Sequence, residues 1–154
     1  MATHLYLVRH GKAEDAPDDF SRHLTKEGRD QVRQVAAHLK RARIRVDTIE
    51  HSGLVRAEET AELLAKALGS TAVRGEGLEP EAPPARLARR LIESRDQRVM
   101  IVSHLPLVGR LASYLLVGDE DAELLHFRTG TVACLALDSG SRRVEWMLSP
   151  SVVV

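Results

Sequence analysis

Leu5-Tyr6-Leu7-Val8-Arg9-His10-Gly11 and Met100-Ile101-Val102-Ser103-His104-Leu105-Pro106 are built alike, each an apolar run that stops on a histidine. Such runs are too short for a core helix and suit strands buried on both faces. Residues 4–9 are read as one strand and Val99–Val102 as another. Between them the apolar spacing changes period. Val32, Val35, Ala36 and Leu39 recur at helical spacing behind Thr25, a plausible N-cap, and predict an amphipathic helix over 26–42. Residues 45–50 read as a strand. Ser52-Gly53 opens a helix with Ala57, Ala61, Leu64 and Leu68 on one face, stopped by Gly69. Thr71–Arg74 is a short strand candidate, 75–84 a loop, and 85–94 a helix with Leu87, Leu91 and Ile92 inward. Pro106 fits the first helical position of a segment carrying Leu107, Leu111, Tyr114 and Leu115, ended by Gly118. Residues 131–137 and 143–148 read as two strands joined by a turn at Asp138–Ser141.

Strand and helix alternate four times before that closing hairpin. The alternation predicts an α/β sandwich with a mostly parallel sheet, its hairpin closing one edge. The 154 residues fit one domain spanning 1–154. With 44% hydrophobic and 29% charged residues, the composition is that of a globular chain and excludes a mostly disordered one. The 22 basic and 22 acidic residues cancel, which argues against a nucleic-acid backbone as partner. Aromatic residues, at 3%, are too few for a base-stacking platform. The single cysteine, Cys134, excludes an internal disulfide and lies in an apolar run, so it reads as core. Neither a signal peptide nor a membrane span is legible, and a cytoplasmic location is expected. The histidines lack metal-ligand spacing on any one element, so no metal and no other cofactor is expected.

In an open parallel sheet ligands bind beyond the carboxyl ends of the strands. His10 and His104 therefore point to the rim where a site is expected. Arg9 precedes the first, and Arg56 lies in the first turns of a helix delivered to the same rim by the strand at 45–50. Two guanidinium groups, two imidazoles and a helix N-terminus make a site for a phosphate-like anion. His4, His38 and His51 show no partner pattern and read as structural or surface residues. The arginines at 86, 89, 90, 95 and 98, interleaved with Glu93 and Asp96, read as a solvated face.

Leu7-Val8-Arg9-His10-Gly11-Lys12-Ala13 resembles the signature of the histidine phosphatase superfamily, which includes the phosphoglycerate mutases. Ser52-Gly53-Leu54-Val55-Arg56-Ala57-Glu58-Glu59-Thr60-Ala61 is similar to its second arginine motif. Val102-Ser103-His104-Leu105-Pro106-Leu107-Val108-Gly109 is similar to the small phosphohistidine phosphatases of the SixA type. So is Arg22-His23-Leu24-Thr25-Lys26-Glu27-Gly28, where that branch often has proline at the His23 position. The resemblance covers essentially the whole chain. It implies a three-layer, phosphoglycerate mutase-like sandwich with helices on both faces of the sheet.

It also implies that His10 is the nucleophile that carries the phosphoryl group, and that Arg9, Arg56 and His104 bind its oxygens, His104 by donating a hydrogen bond from a neutral or cationic ring. Positioned cations stabilise the charge of a phosphoryl group in transfer. Gly11 is expected to leave room for substrate beside the His10 ring. Many relatives carry a glutamate that protonates the leaving oxygen. Here Glu79 is the nearest candidate, without a firm register. The short stretch between Arg56 and Arg98 leaves no room for a large lid insertion, so the pocket should be open. The favoured expectation is a metal-independent phosphatase acting on a phosphorylated protein, such as a histidine-containing phosphotransfer domain. A phosphatase of a small phosphorylated metabolite is the alternative, and a non-catalytic phosphate-binding module is an alternative of another class.

Overall fold

The computed structural model describes residues 3–138 and 140–153. Strand β1 spans His4–Arg9, helix α1 Lys26–Arg41, β2 Thr48–His51, α2 Val55–Leu68, β3 Ala72–Arg74 and α3 Pro84–Ile92. Then follow β4 at Arg98–Ser103, α4 at Leu107–Val117, β5 at Val132–Asp138, β6 at Ser141–Leu148 and a 3-10 turn at Pro150–Val152. The turn expected at Asp138–Ser141 includes residue 139, which lies outside the described residues.

The six strands lie in the order β3-β2-β4-β1-β5-β6. Neighbours from β3 to β1 are parallel. β5 is antiparallel to both β1 and β6, which makes the hairpin the closing edge. Side chains alternate across a strand, so each apolar run feeds two cores. Leu5, Leu7, Val99 and Ile101 pack with Leu87 and Leu91 of α3 and Leu107 and Leu111 of α4. Tyr6, Val8, Met100 and Val102 pack on the other face with Val32, Val35 and Leu39 of α1 and Leu64 of α2. Cys134 belongs to this second core, as expected. The result is a three-layer α/β sandwich. Only β3 and α3, with their loops, separate α2 from β4, so no large lid is inserted.

The Thr25 hydroxyl accepts from Gly28 N at 2.9 Å and caps α1, and Gly69 ends α2 at φ 67° in the left-handed region. Several boundaries differ from expectation, two of them for a reason visible in the chain's pairing and backbone. β2 starts at Thr48, not 45, because Thr48 is opposite Val99 and its partner strand begins only at Arg98. The Asp47 carboxylate instead accepts the Gln97 and Arg98 amides, each at 2.9 Å. Pro106 lies one residue ahead of α4, after a cis Leu105-Pro106 bond. Among the described residues no helix is long and apolar enough to cross a membrane.

Candidate active site

β1 and β4 are adjacent and parallel, with Arg9 opposite Ser103, so the residues that follow them emerge side by side. The His10 amide donates to Ser103 O at 3.0 Å. The two imidazoles then face each other with centroids 5.0 Å apart and planes tilted by 50°. Both are buried, at 6% and 2% exposure.

The surroundings of His10 select one tautomer. Its Nδ1 lies 2.7 Å from Gly11 O, and a carbonyl only accepts, so Nδ1 carries the proton. Nε2 is left with its lone pair, which faces Arg56 Nε–H at 3.3 Å. Burial, followed by the charges of Arg56 and Arg9, lowers the His10 pKa to about 4. The Gly11 carbonyl opposes that shift without reversing it. The ring is therefore neutral and nucleophilic at Nε2 around neutral pH.

His104 is held through its other nitrogen. Its Nε2 lies 2.6 Å from the Ser52 hydroxyl, and the same oxygen accepts the Leu54 amide at 3.3 Å. With the Leu54 amide on that oxygen, the Ser52 hydroxyl can donate to His104 Nε2, and the ring proton then sits on Nδ1. That Nδ1 is buried and has no partner among the described residues. Burial first, then the neighbouring His10 and Arg56, lower the His104 pKa to about 3. These surroundings favour a neutral ring, whose Nδ1 is left for a ligand.

Arg9 and Arg56 reach the same corner by different routes. Arg9 donates from Nη1 to Phe127 O at 2.9 Å, while its Nε is buried without a partner among the described residues. Arg56 is a buried residue in the first turn of α2. Its Nη1 donates to Asp19 O at 2.7 Å and its Nη2 to the Asp19 carboxylate at 3.2 Å. Thr60, one turn on, bonds Arg56 O at 2.7 Å and accepts the Gly11 amide at 3.0 Å, tying α2 to the end of β1. The four residues singled out from sequence are gathered at one rim. Ser52, Thr60 and Asp19 were not singled out for a role. The first two lie at fixed spacing around Arg56 in the second motif, which is a signal in hindsight. Asp19 lies in an irregular acidic loop that offers none.

One expectation fails here. A Cβ on Gly11 would approach Val32 Cγ2 to 2.8 Å and Leu24 Cδ2 to 3.2 Å. Glycine is thus required by the packing of α1 and not by space for substrate. Glu79 is exposed and lines a hollow with Glu76, Ala82, Pro83 and Arg86, a lining that includes neither imidazole. His23 pairs with Glu59 at 3.1 Å, and Glu59 also accepts the Leu24 amide and Arg29. These contacts with Glu59 close the base of the loop that runs from Glu14 to His23. Among the described residues no group of three or more His, Cys, Asp or Glu is gathered in a way that could hold a metal.

Residues 5–79 match the model of the histidine phosphatase superfamily, branch 1. The chain is 32% identical to phosphohistidine phosphatase SixA of Escherichia coli K12, over 95% of this chain and 93% of that protein. It superposes on a structure of the protein histidine phosphatase SixA complexed with tungstate at a TM-score of 0.85 and 32% identity, covering 96% and 97% of the two chains. A phosphoserine phosphatase mutant of Entamoeba histolytica in complex with phosphoserine shares the fold alone, at a TM-score of 0.77 and 17% identity over 99% and 100% of the chains. Similarity at this level from the first strand to the last, joined to a rim on which both signature histidines and both signature arginines converge, makes this chain a member of the histidine phosphatase superfamily.

Proposed function

We propose that the chain is a phosphohistidine phosphatase that works through a covalent phosphoryl group on His10 and needs no metal. The observation that carries this reading is the pairing of an unprotonated His10 Nε2 with two buried nitrogens that have no partner among the described residues, His104 Nδ1 and Arg9 Nε. Buried donors without partners are costly unless a ligand completes them, and a tetrahedral oxyanion supplies acceptors in several directions. His10 Nε2 attacks phosphorus, the bond to the leaving atom breaks, and its electron pair departs with the leaving group. Arg56 and Arg9 balance the charge on the equatorial oxygens, and His104 donates a hydrogen bond to them. Water then attacks the phosphoryl group, releases phosphate and returns the lone pair to His10.

The substrate class follows from the leaving group. Alkoxides leave badly without an acid, and the candidate carboxylate of Glu79 lines a hollow that includes neither imidazole. An imidazole protonated at its second nitrogen leaves without that help. The unlidded rim admits a side chain presented by a protein, for which a histidine-containing phosphotransfer domain is the proposed partner. The similarity to SixA proteins supports the same substrate. We read residues 1–154 as one domain acting in the cytoplasm. The test is hydrolysis of p-nitrophenyl phosphate and of a phosphohistidine protein in the presence of chelator, with vanadate as inhibitor. Turnover of both, trapping of phosphate on His10 and inhibition by vanadate are expected. Activity lost to chelator and restored by a divalent ion would overturn the reading.

A further inference from the structure

Asp19 runs against the logic of an anion site. Its carbonyl and carboxylate occupy both terminal nitrogens of Arg56, at 2.7 and 3.2 Å, and its other oxygen lies 3.4 Å from Arg22. The side chain is nevertheless 63% exposed. Burial alone would raise its pKa, but the hydrogen bond and charge of Arg56, then those of Arg22, bring it below the usual carboxylate value. A negative charge is thereby held beside a pocket whose unpartnered donors, His104 Nδ1 and Arg9 Nε, await an anion. Such a charge disfavours a phosphorylated group whose remainder is anionic. It favours one whose remainder presents a cationic N–H.

A phosphorylated imidazole is such a group, since its second ring nitrogen takes a proton. We propose, resting on the phosphohistidine reading above, that Asp19 determines specificity by accepting a hydrogen bond from the distal ring N–H of the substrate imidazole. Arg56 joins the two halves of the site, gripping Asp19 with its terminal nitrogens and facing His10 with Nε. Each carboxylate oxygen can accept about two hydrogen bonds, so Arg56 and Arg22 leave capacity for the substrate. In the transfer step the P–N bond of the substrate breaks and the P–Nε2 bond of His10 forms. The electron pair stays on the departing nitrogen, and the proton on the distal nitrogen stays in place. The ring leaves as neutral imidazole. The contact with Asp19 enriches the protonated ring that reacts in this way.

The experiment measures kcat/KM of wild type, Asp19→Asn and Asp19→Glu with phosphoimidazole and with p-nitrophenyl phosphate, which has no N–H. The phosphoimidazole to p-nitrophenyl phosphate ratio is expected to fall about fivefold in Asp19→Asn, as suits an exposed charge contact, and to recover in part in Asp19→Glu. Because the ratio is taken within each variant, it is insensitive to the folded fraction. Equal losses on both substrates would mean that Asp19 merely positions Arg56, and a constant ratio would equally overturn the proposal. Wild type that hydrolyses p-nitrophenyl phosphate but not phosphoimidazole would overturn the phosphohistidine reading itself.

Discussion

The ends of β1 and β4 and the loop from Glu14 to His23 meet at one site but are held there by different forces. His10 and His104 follow strands packed on both faces and flanked on both sides by other strands, so their backbone positions share the stability of the whole core. The loop has no such support. It is closed at its base by the bridge between Ala13 and Leu24 and by Glu59. Beyond that it rests on the grip of Arg56 on Asp19, the Val55 amide on Phe20 O, and local bonds from Arg22 and Ser21. Phe20 is left 55% exposed on it. The rigid wall carries the groups whose mutual geometry must be exact to a fraction of an ångström. The lightly held loop carries the group assigned to selection, where some adjustment to a protein partner is tolerated.

The sharpest break in this comparison is His10→Ala. Turnover of p-nitrophenyl phosphate is expected to vanish, while circular dichroism and thermal melting report a folded protein. Near-normal activity would remove the nucleophile from the wall. Arg56→Ala acts on both regions. It should lower kcat/KM by about 10²–10³ through the lost transition-state charge, and should make the 14–23 loop more susceptible to proteolysis. Loss of activity with no change in cleavage of the loop would mean that the loop does not depend on Arg56.

The wall should also be visible in the pH dependence of stability. His10 and His104 have folded pKa values of about 4 and about 3, below the ordinary 6.5. As the pH falls from about 6.5, the unfolded chain takes up protons that the folded chain refuses. Stability should therefore fall by an amount on the order of a few kcal/mol toward pH 4, and flatten below pH 3 as far as these two groups are concerned. Denaturant unfolding at pH 7 and pH 4.5 checks this. A His10→Ala protein should lose part of the dependence, and an identical slope would deny that the buried imidazole is its source.

Ser52→Ala removes the group that sets the His104 tautomer while leaving the ring in place. A fall of about tenfold in kcat is expected, with little change in the binding of inorganic phosphate. Rescue by Ser52→Thr would mark the hydroxyl as the active feature. The smallest effect is reserved for Glu79→Gln. With the side chain in a separate hollow, kcat/KM for aryl and alkyl phosphates should stay within about twofold of wild type. A collapse of alkyl phosphate turnover alone would make Glu79 the acid after all.

The sequence by itself determined the elements and the rim. Leu5–Val8 and Val99–Val102 announce buried strands, the stripe from Val32 to Leu39 announces α1, and strand ends locate His10 and His104. These signals are local, because strand and helix periods and caps are written within a few residues of one another. Tertiary structure alone decided which atoms meet. Ser52 lies 52 residues from His104, and Asp19 lies 37 residues from Arg56. Packing of α1 against the chain after β1, and not access of substrate, is what demands glycine at position 11. Pairings of this kind follow from the order of strands in the sheet and from which polar groups are left without water. Neither quantity has a period along the chain, so the proton on Nδ1 of each imidazole and the carboxylate at the rim became legible only once the fold had brought them together.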